Sequence, residues 1–530
     1  MPRQRLYLYD TTLRDGAQTP GIDFSVEEKK IIARMLDELG IDYIEGGYPG
    51  ANPTDSELFS ADQGLRARFT AFGMTRRAGR SLDNDPGLRR LLEARADAIC
   101  FVAKGWDYHV KVALNTTTDE HLASIRDSVE AARAHGFEPL VDIEHFFDGY
   151  KANPEYTTAA VRAAHEAGAR WVVLCDTNGG TLPEEVEEIV SAMAGIVPGE
   201  NLGIHCHDDT GMAVANSLAA VRAGARMIQG TLNGIGERCG NANLVTLIPT
   251  LALKPIYAER FELGLREGAL ERLTQVSRAF NEMLNRPPEL QAPYVGETAF
   301  STKAGIHASA ILKNPDTYEH VRPEQVGNRR RVLVSDQAGK SNLISELKRF
   351  GMEVDKTDPR LDDLLARVKE NEAAGFAYDT ADASLELLAR RTLGHVPVYF
   401  DVESYRVLVE RRYNAMGEKV TMAEAIVKVR IGKQHFMSVA EGNGPVNALD
   451  AALRKDLGPY SQYIRGLELV DFKVRIVGKG TDATTRVLIE SRDETGARWF
   501  TVGVSPNIID ASFQALNDSI IYKLLKAGAR

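Results

Sequence analysis

The sequence predicts an α/β protein: a TIM-type (β/α)8 barrel, a helical linker region, and a C-terminal α+β domain with a duplicated βββα unit. Three observations predict it. Strand-like runs alternate with amphipathic helical runs eight times over about 260 residues, the size and rhythm of such a barrel. The residues able to do chemistry fall at the C-terminal ends of those strand runs, where barrels of this kind carry their sites. A strand–turn–helix pattern then occurs twice near the C-terminus.

The strand runs are residues 6–10, 43–46, 69–72, 98–102, 139–143, 171–175, 203–207 and 227–231. Helical runs at 26–39, 119–135, 156–167, 182–194 and 212–223 lie between them. A doubly wound open sheet is the alternative. It would usually offer a Gly-rich nucleotide turn after the first strand, and residues 10–16 are not one. The barrel is read as 1–275. Asn285-Arg286-Pro287-Pro288 punctuates the chain, and a linker over 276–392 carries helical pieces at 337–350 and 358–374. From 393 to 530 the repeat takes over. His435-Phe436-Met437-Ser438-Val439 leads into a helical run from Pro445, and Trp499-Phe500-Thr501-Val502 leads into another from Ile508. Such a duplicated unit needs a partner for its apolar face, so a homodimer is expected.

Bulk properties narrow the function. The 530 residues are 44% hydrophobic and 26% charged, the balance of a soluble globular protein. A net charge of −10 argues against nucleic acid as a partner. No run approaches the ~20 apolar residues of a membrane helix, and the first ten residues lack a signal-peptide core, so a cytoplasmic protein is expected. Cys100, Cys175, Cys206 and Cys239 show no CxxC spacing and read as reduced thiols.

The strongest chemical signal is His205-Cys206-His207 at a strand end. Residues i and i+2 share a strand face, so both imidazoles point to the barrel mouth and Cys206 points to the helices. Two imidazoles and a carboxylate make a three-ligand metal site with open positions. Asp15 can supply the carboxylate, because the first and eighth strands are neighbours in a closed barrel and the seventh is next. Arg14 beside it suits an oxyanion, as a planar cation that never loses its charge. Glu144 ends the fifth strand as an acid, base or water-positioning group. Thr177, on the Gly-rich turn after Asp176, offers a hydroxyl to a substrate carboxylate. His307 follows Ser301-Thr302-Lys303-Ala304-Gly305-Ile306, with Tyr318 further on, and it becomes a catalytic candidate only if this segment reaches a barrel mouth.

Together these residues resemble the DRE-TIM metallolyase family, whose signature is Asp10-Thr11-Thr12-Leu13-Arg14-Asp15-Gly16 here. The passage from His205 to Gly211 and the run Gly234-Ile235-Gly236-Glu237-Arg238-Cys239-Gly240-Asn241-Ala242-Asn243-Leu244 carry the rest of it. Within the family the likeness is to the 2-isopropylmalate, homocitrate and citramalate synthase branch, over essentially the whole chain. It is strongest to the longer, divergent citramalate synthase type, on Glu144-His145-Phe146-Phe147-Asp148-Gly149-Tyr150, on Leu174–Thr181 and on Gly105-Trp106-Asp107-Tyr108-His109.

The resemblance implies an acyltransferase that condenses acetyl-CoA with a small 2-oxo acid, pyruvate for this type, and then hydrolyses the thioester. It implies a divalent metal (Mn, Zn, Co or Mg) held by Asp15, His205 and His207, with Asn241 as a fourth ligand or a group behind the ligands. Arg14 would stabilise the enolate or alkoxide, Thr177 would hold the oxo-acid carboxylate, and Glu144, His307 and Tyr318 would complete the catalytic set. The last two come from the linker, often that of the partner subunit. The C-terminal module would be an allosteric dimerisation domain with isoleucine or leucine as effector. A 2-isopropylmalate synthase acting on 2-oxoisovalerate is the nearest alternative. A lyase of the hydroxymethylglutaryl-CoA type should lack the duplicated module, and a non-catalytic metabolite sensor is the reading from outside enzymology. Asp208, His145 and Ala308-Ser309 stand where many relatives carry Asn, Asp and Gln-Asp.

Overall fold

The structure is a computed structural model describing residues 2–284, 286, 288–302, 307, 310–311, 313–332, 340–378, 380–394, 396–413, 416, 419–477 and 483–529. Eight parallel strands close into a barrel: β1 Tyr7–Asp10, β2 Tyr43–Gly47, β3 Arg68–Met74, β4 Ala98–Lys104, β5 Glu138–Glu144, β6 Trp171–Asp176, β7 Leu202–Cys206 and β8 Met227–Gly230. Closure is made by β1 on β8, with Tyr7 opposite Met227 and Asp10 opposite Gly230. An open doubly wound sheet is thereby excluded.

Strand alternation decides which side chains reach the barrel axis. On β5, Leu140 joins an interior cluster with Tyr9, Tyr43, Cys100, Trp171, Val173 and Met227, while Val141 and Ile143 pack outward against the helices. Trp171 is fully buried there, its indole N–H donating to Tyr43 Oη at 3.0 Å. The first crossover helix, Val26–Leu39, starts at Ser25 with a capping box to Glu28 and ends at Gly40 in the left-handed conformation. Later crossovers include Thr118–Ala134, Pro154–Glu166, Pro183–Ala194 and Ala213–Ala223, within two residues of the sequence-predicted helices.

The chain forms two compact units, residues 1–300 with 321–330, and 301–320 with 331–530. The second holds helices Lys340–Arg349, Arg360–Ala373 and Asp382–Leu393. The third of these was not expected from the sequence. Its first turn is hidden in a Thr/Asp/Ala run. Residues 337–339 of the predicted linker helix lie outside the described residues. Two three-stranded antiparallel sheets follow: β9 Asp401–Tyr413, β10 Lys419–Ile431, β11 Gln434–Gly442, and β12 Glu468–Val477, β13 Thr484–Arg492, β14 Arg498–Ser505. Each leads into a helix, Pro445–Lys455 or Ile508–Lys526, as the repeat predicts.

The repeats share one core, Ala425 and Val427 of the first sheet with Val487 and Ile489 of the second and Leu449, Leu453, Leu516 and Ile520 of the helices. Their outer faces differ. Val502, with Leu488 and Val504, packs into a core with Leu361, Leu364 and Leu385 of the linker helices. On the first sheet, Leu408, Met437 and Val439 are exposed. Among the described residues no helix is long and apolar enough to cross a membrane, and all four cysteines are free thiols.

Candidate active site

At the C-terminal end of the barrel, β1, β7 and β8 bring Asp15, His205 and His207 together. Asp15 Oδ2 lies 3.8 Å from His205 Nε2 and 3.9 Å from His207 Nε2. These separations are too long for hydrogen bonds and near the spacing of ligands around one cation. All three residues are buried. Their ligand atoms form one of two groups able to hold a metal among the described residues.

One sequence expectation is corrected. Strand β7 stops at Cys206, and His207 lies beyond it, in an isolated bridge to Asn241. The bridge, not strand pairing, sets its place beside His205, with ring centroids 5.0 Å apart. Cys206 points outward, as expected, into the cluster that packs under the helices. Asn241 donates to Asp15 Oδ1 at 2.9 Å, and its own Oδ1 is buried without a partner, as is His207 Nδ1. Gly236 lets this loop close in: a Cβ there would stand 2.1 Å from Asn241 Nδ2. An orphaned buried acceptor, Asn241 Oδ1, next to a carboxylate and two imidazoles is what a divalent cation satisfies, so the set fits one.

The electrostatics agree. Burial pushes the Asp15 carboxyl up, but its neighbours, the Arg14 guanidinium foremost, override it and hold it well below the usual range. Burial, and then the His205 neighbour, lowers His207 to about 4, and burial lowers His205. The residues therefore present a carboxylate and two neutral imidazoles, the protonation states a metal requires.

Arg14 is fixed on three sides. It donates to Glu45 Oε2 at 2.8 Å and to Asp15 Oδ2 at 3.0 Å, and its guanidinium lies 4.0 Å over the Phe72 ring. Glu45, fully buried, also accepts from Tyr9 Oη at 2.7 Å and from the Thr11 hydroxyl. Sequence reasoning gave Glu45 and Phe72 no role. Their signal was positional only, as residues on the inward parity of β2 and β3.

The opposite side of the mouth holds Glu144, paired with Lys104 at the end of β4, another residue the sequence reading passed over. Thr177 Oγ1 accepts from the backbone N–H of His145 at 2.8 Å, which leaves the hydroxyl proton free to point elsewhere. His145 takes a left-handed conformation, φ 53°, and its Nδ1 lies 3.1 Å from Asp148 Oδ2. Arg238 straps the loops together: it forks onto Asp209 at 2.8 and 2.9 Å and donates to Thr177 O at 2.7 Å. Asp208 accepts from the Ala213 N–H at 2.8 Å at the start of a helix, a task Asn performs equally well.

Arg14, Asp15, Glu144, Thr177, His205, His207 and Asn241 are thus gathered in the first unit. His307 and Tyr318 belong to the second, where both are exposed and their ring centroids lie 4.4 Å apart with the planes tilted by 33°. Lys303 to Ile306 and Ala308-Ser309 lie outside the described residues.

A closed parallel barrel with a buried Asp-His-His triangle and an arginine beside it defines a metal-site (β/α)8 enzyme. Residues 5–278 match the HMGL-like family, 294–375 the homocitrate synthase post-HMGL domain-like family, and 379–524 the LeuA allosteric (dimerisation) domain. The chain is 48% identical over 528 residues to an (R)-citramalate synthase of Aquifex aeolicus, covering 99% of this chain and 98% of that one. It is also 48% identical to one from Streptomyces coelicolor, covering 98% and 97%. A probable 2-isopropylmalate synthase of Methanopyrus kandleri is 34% identical, covering 96% and 97%. The chain belongs to the HMGL-like family, on its (R)-citramalate synthase branch.

Proposed function

We propose that this protein is an (R)-citramalate synthase: acetyl-CoA, pyruvate and water give (R)-citramalate and CoA. The carrying observation is the buried Asp15–His205–His207 triangle with Arg14 locked beside it, in a chain collinear with such synthases over its whole length. Asp15, His205, His207 and Asn241 would hold a divalent cation (Mn, Zn, Co or Mg), which when bound supplies Lewis acidity to a keto oxygen.

The chain's own groups do the rest. Arg14 is aimed by Glu45 and Phe72 before any substrate arrives, so it stabilises a developing oxyanion without reorganising. Thr177 donates a hydrogen bond through its hydroxyl to the oxo-acid carboxylate. Glu144, beside Lys104, positions the water that cleaves the thioester. His307, beside Tyr318, serves proton removal from the acetyl methyl group. The C-terminal unit binds an amino-acid effector, isoleucine or leucine, and a second copy of the chain covers the exposed Leu408, Met437 and Val439. The protein works in the cytoplasm.

CoA release by the metal-loaded protein, with pyruvate against 2-oxoisovalerate and 2-oxoglutarate, tests the reading. Selective turnover of pyruvate is expected. Preference for 2-oxoisovalerate would move the protein to the 2-isopropylmalate synthases, and no turnover with any of them would leave a non-catalytic sensor.

A further inference from the structure

One layer beneath the Asp-His-His triangle lies a second group of buried polar side chains, Glu45, Cys100 and Asp142, close enough together to hold a metal of their own. Their partners argue otherwise. Both Glu45 oxygens are taken by Tyr9, Thr11 and Arg14. Asp142 accepts from the side chain of Gln229, Nε2 to Oδ1 at 2.9 Å. The layer looks upward, into the site above it.

Gln229 on β8 is fully buried, and its Oε1 lies 2.9 Å from His205 Nδ1. A side-chain amide has a donating end and an accepting end and cannot present the same end to both neighbours. Asp142 offers Gln229 an accepting oxygen, so the Gln229 nitrogen turns towards Asp142 and its oxygen towards the imidazole. The imidazole must then carry its proton on Nδ1. That leaves Nε2, the nitrogen facing Asp15, with its lone pair exposed. An apolar residue at 229 would leave the ring free to take either tautomer and to turn about its own axis.

We propose that Gln229 and Asp142 are positioning residues for the metal site, a two-link relay that fixes the tautomer and orientation of His205. The relay crosses the barrel from β5 through β8 to β7 and ends on one ligand only: His207 Nδ1 has no such partner. His205 is therefore the pre-oriented ligand and His207 the adjustable one. A group that orients a metal-binding imidazole in this way is worth about 10–100-fold in metal affinity. The proposal rests on the reading that Asp15, His205 and His207 hold the cation, and its test separates the two.

The full-length protein is stripped of metal, and Co(II) affinity is measured by chelator competition for wild type, Gln229→Leu, Gln229→Glu and Asp142→Asn. The Co(II) visible absorption spectrum is recorded for each. Histidine labelled with ¹⁵N reports the His205 tautomer in the metal-free protein. Wild type should bind one Co(II) and show His205 protonated on Nδ1. Gln229→Leu should weaken binding about 10–100-fold, change the spectrum and mix the tautomers. Gln229→Glu keeps an acceptor for Nδ1 and should retain the tautomer. Asp142→Asn keeps an accepting oxygen and should lose less than Gln229→Leu. If Gln229→Leu does not fold, the ordering of wild type, Gln229→Glu and Asp142→Asn still decides, because a tautomer of Nε2–H in wild type overturns the relay. A folded Gln229→Leu protein with unchanged affinity and spectrum overturns it as well. A wild-type protein that binds no Co(II) overturns the metal reading beneath it.

Discussion

On the β1 and β7 side of the barrel mouth, the charged groups around the Asp-His-His triangle are shielded and tied to one another. Asp15 and Arg14 have side chains only 5% and 15% exposed, and Glu45 beneath them is sealed. On the β4, β5 and β6 side, Lys104 and Glu144 are 18% and 26% exposed, and His145 and Asp148 are similarly partly exposed, at 17% and 25%. The first side is pre-organised: low dielectric strengthens each interaction, and no group has to move to meet developing charge. The second has room for water and for proton exchange. A reaction that joins two substrates and then admits water needs both kinds of surface, and the barrel supplies them from opposite strands.

Substitutions on the locked side should therefore act on metal binding and turnover together. His205→Ala removes one corner of the triangle and strands the Asp15 carboxylate and the His207 imidazole. Turnover should fall below detection, at least about 10³-fold, and bound metal measured by plasma emission should drop well below one per chain. A metal-replete, fully active variant would break the assignment. On the open side the two readouts should separate. Glu144→Gln keeps the shape and removes the charge facing Lys104. We expect kcat to fall about 10²-fold, the usual worth of a positioned acid–base group, with metal content unchanged. Parallel losses of both would erase the distinction between the sides.

The locked side was also the more legible one in the sequence. Asp15, His205 and His207 could be placed because strand parity and the cyclic order of a barrel are rules a sequence obeys. The supports of those residues could not. Glu45 and Asp142 stand out as carboxylates at the ends of the second and fifth strand runs and Gln229 lies in a plain buried run, but nothing local marks which polar residue meets which across the axis. His207 shows the limit of parity itself, since the strand ends one residue earlier and a bridge to Asn241 takes over. Lys104 was missed because the predicted strand stopped at Val102, two residues short of the real end of β4. The duplicated βββα unit was readable because it repeats. The helix Asp382–Leu393 was not, because its packing against the second sheet is a tertiary fact.

A smaller effect is expected where the two sides are strapped together. Arg238 spans them from the loop after β8, forking onto Asp209 and donating to the Thr177 carbonyl. Its side chain is 38% exposed, so the ion pair itself contributes on the order of 1 kcal/mol or less. Its weight lies in holding Thr177 in place. Arg238→Ala should raise the KM for the 2-oxo acid by roughly 3–10-fold, the equivalent of about 1 kcal/mol of lost binding, with kcat nearly unchanged. Steady-state kinetics at saturating acetyl-CoA measures this, and a fall in kcat with KM constant would assign Arg238 to the chemistry instead.

The last effect falls on stability and should not touch turnover at all. His121, on the crossover helix Thr118–Ala134, is buried beneath the open side, and its Nε2 accepts the backbone N–H of Lys104 at 3.0 Å. Burial, and then the Lys104 charge, lowers it to about 4. An unfolded histidine titrates near 6.5, so between about pH 6.5 and 4 the unfolded chain binds the extra proton. The stability this residue contributes is complete above about pH 6.5 and is lost as the pH falls through 4, by up to about 3 kcal/mol. His121→Gln can still accept from Lys104 but cannot be protonated. Its melting temperature should fall less than that of wild type between pH 7.5 and pH 5, all other histidines being common to both proteins. Parallel curves would mean that His121 is already solvated in the folded state, and that the strand end carrying Lys104 is open from below as well as from above.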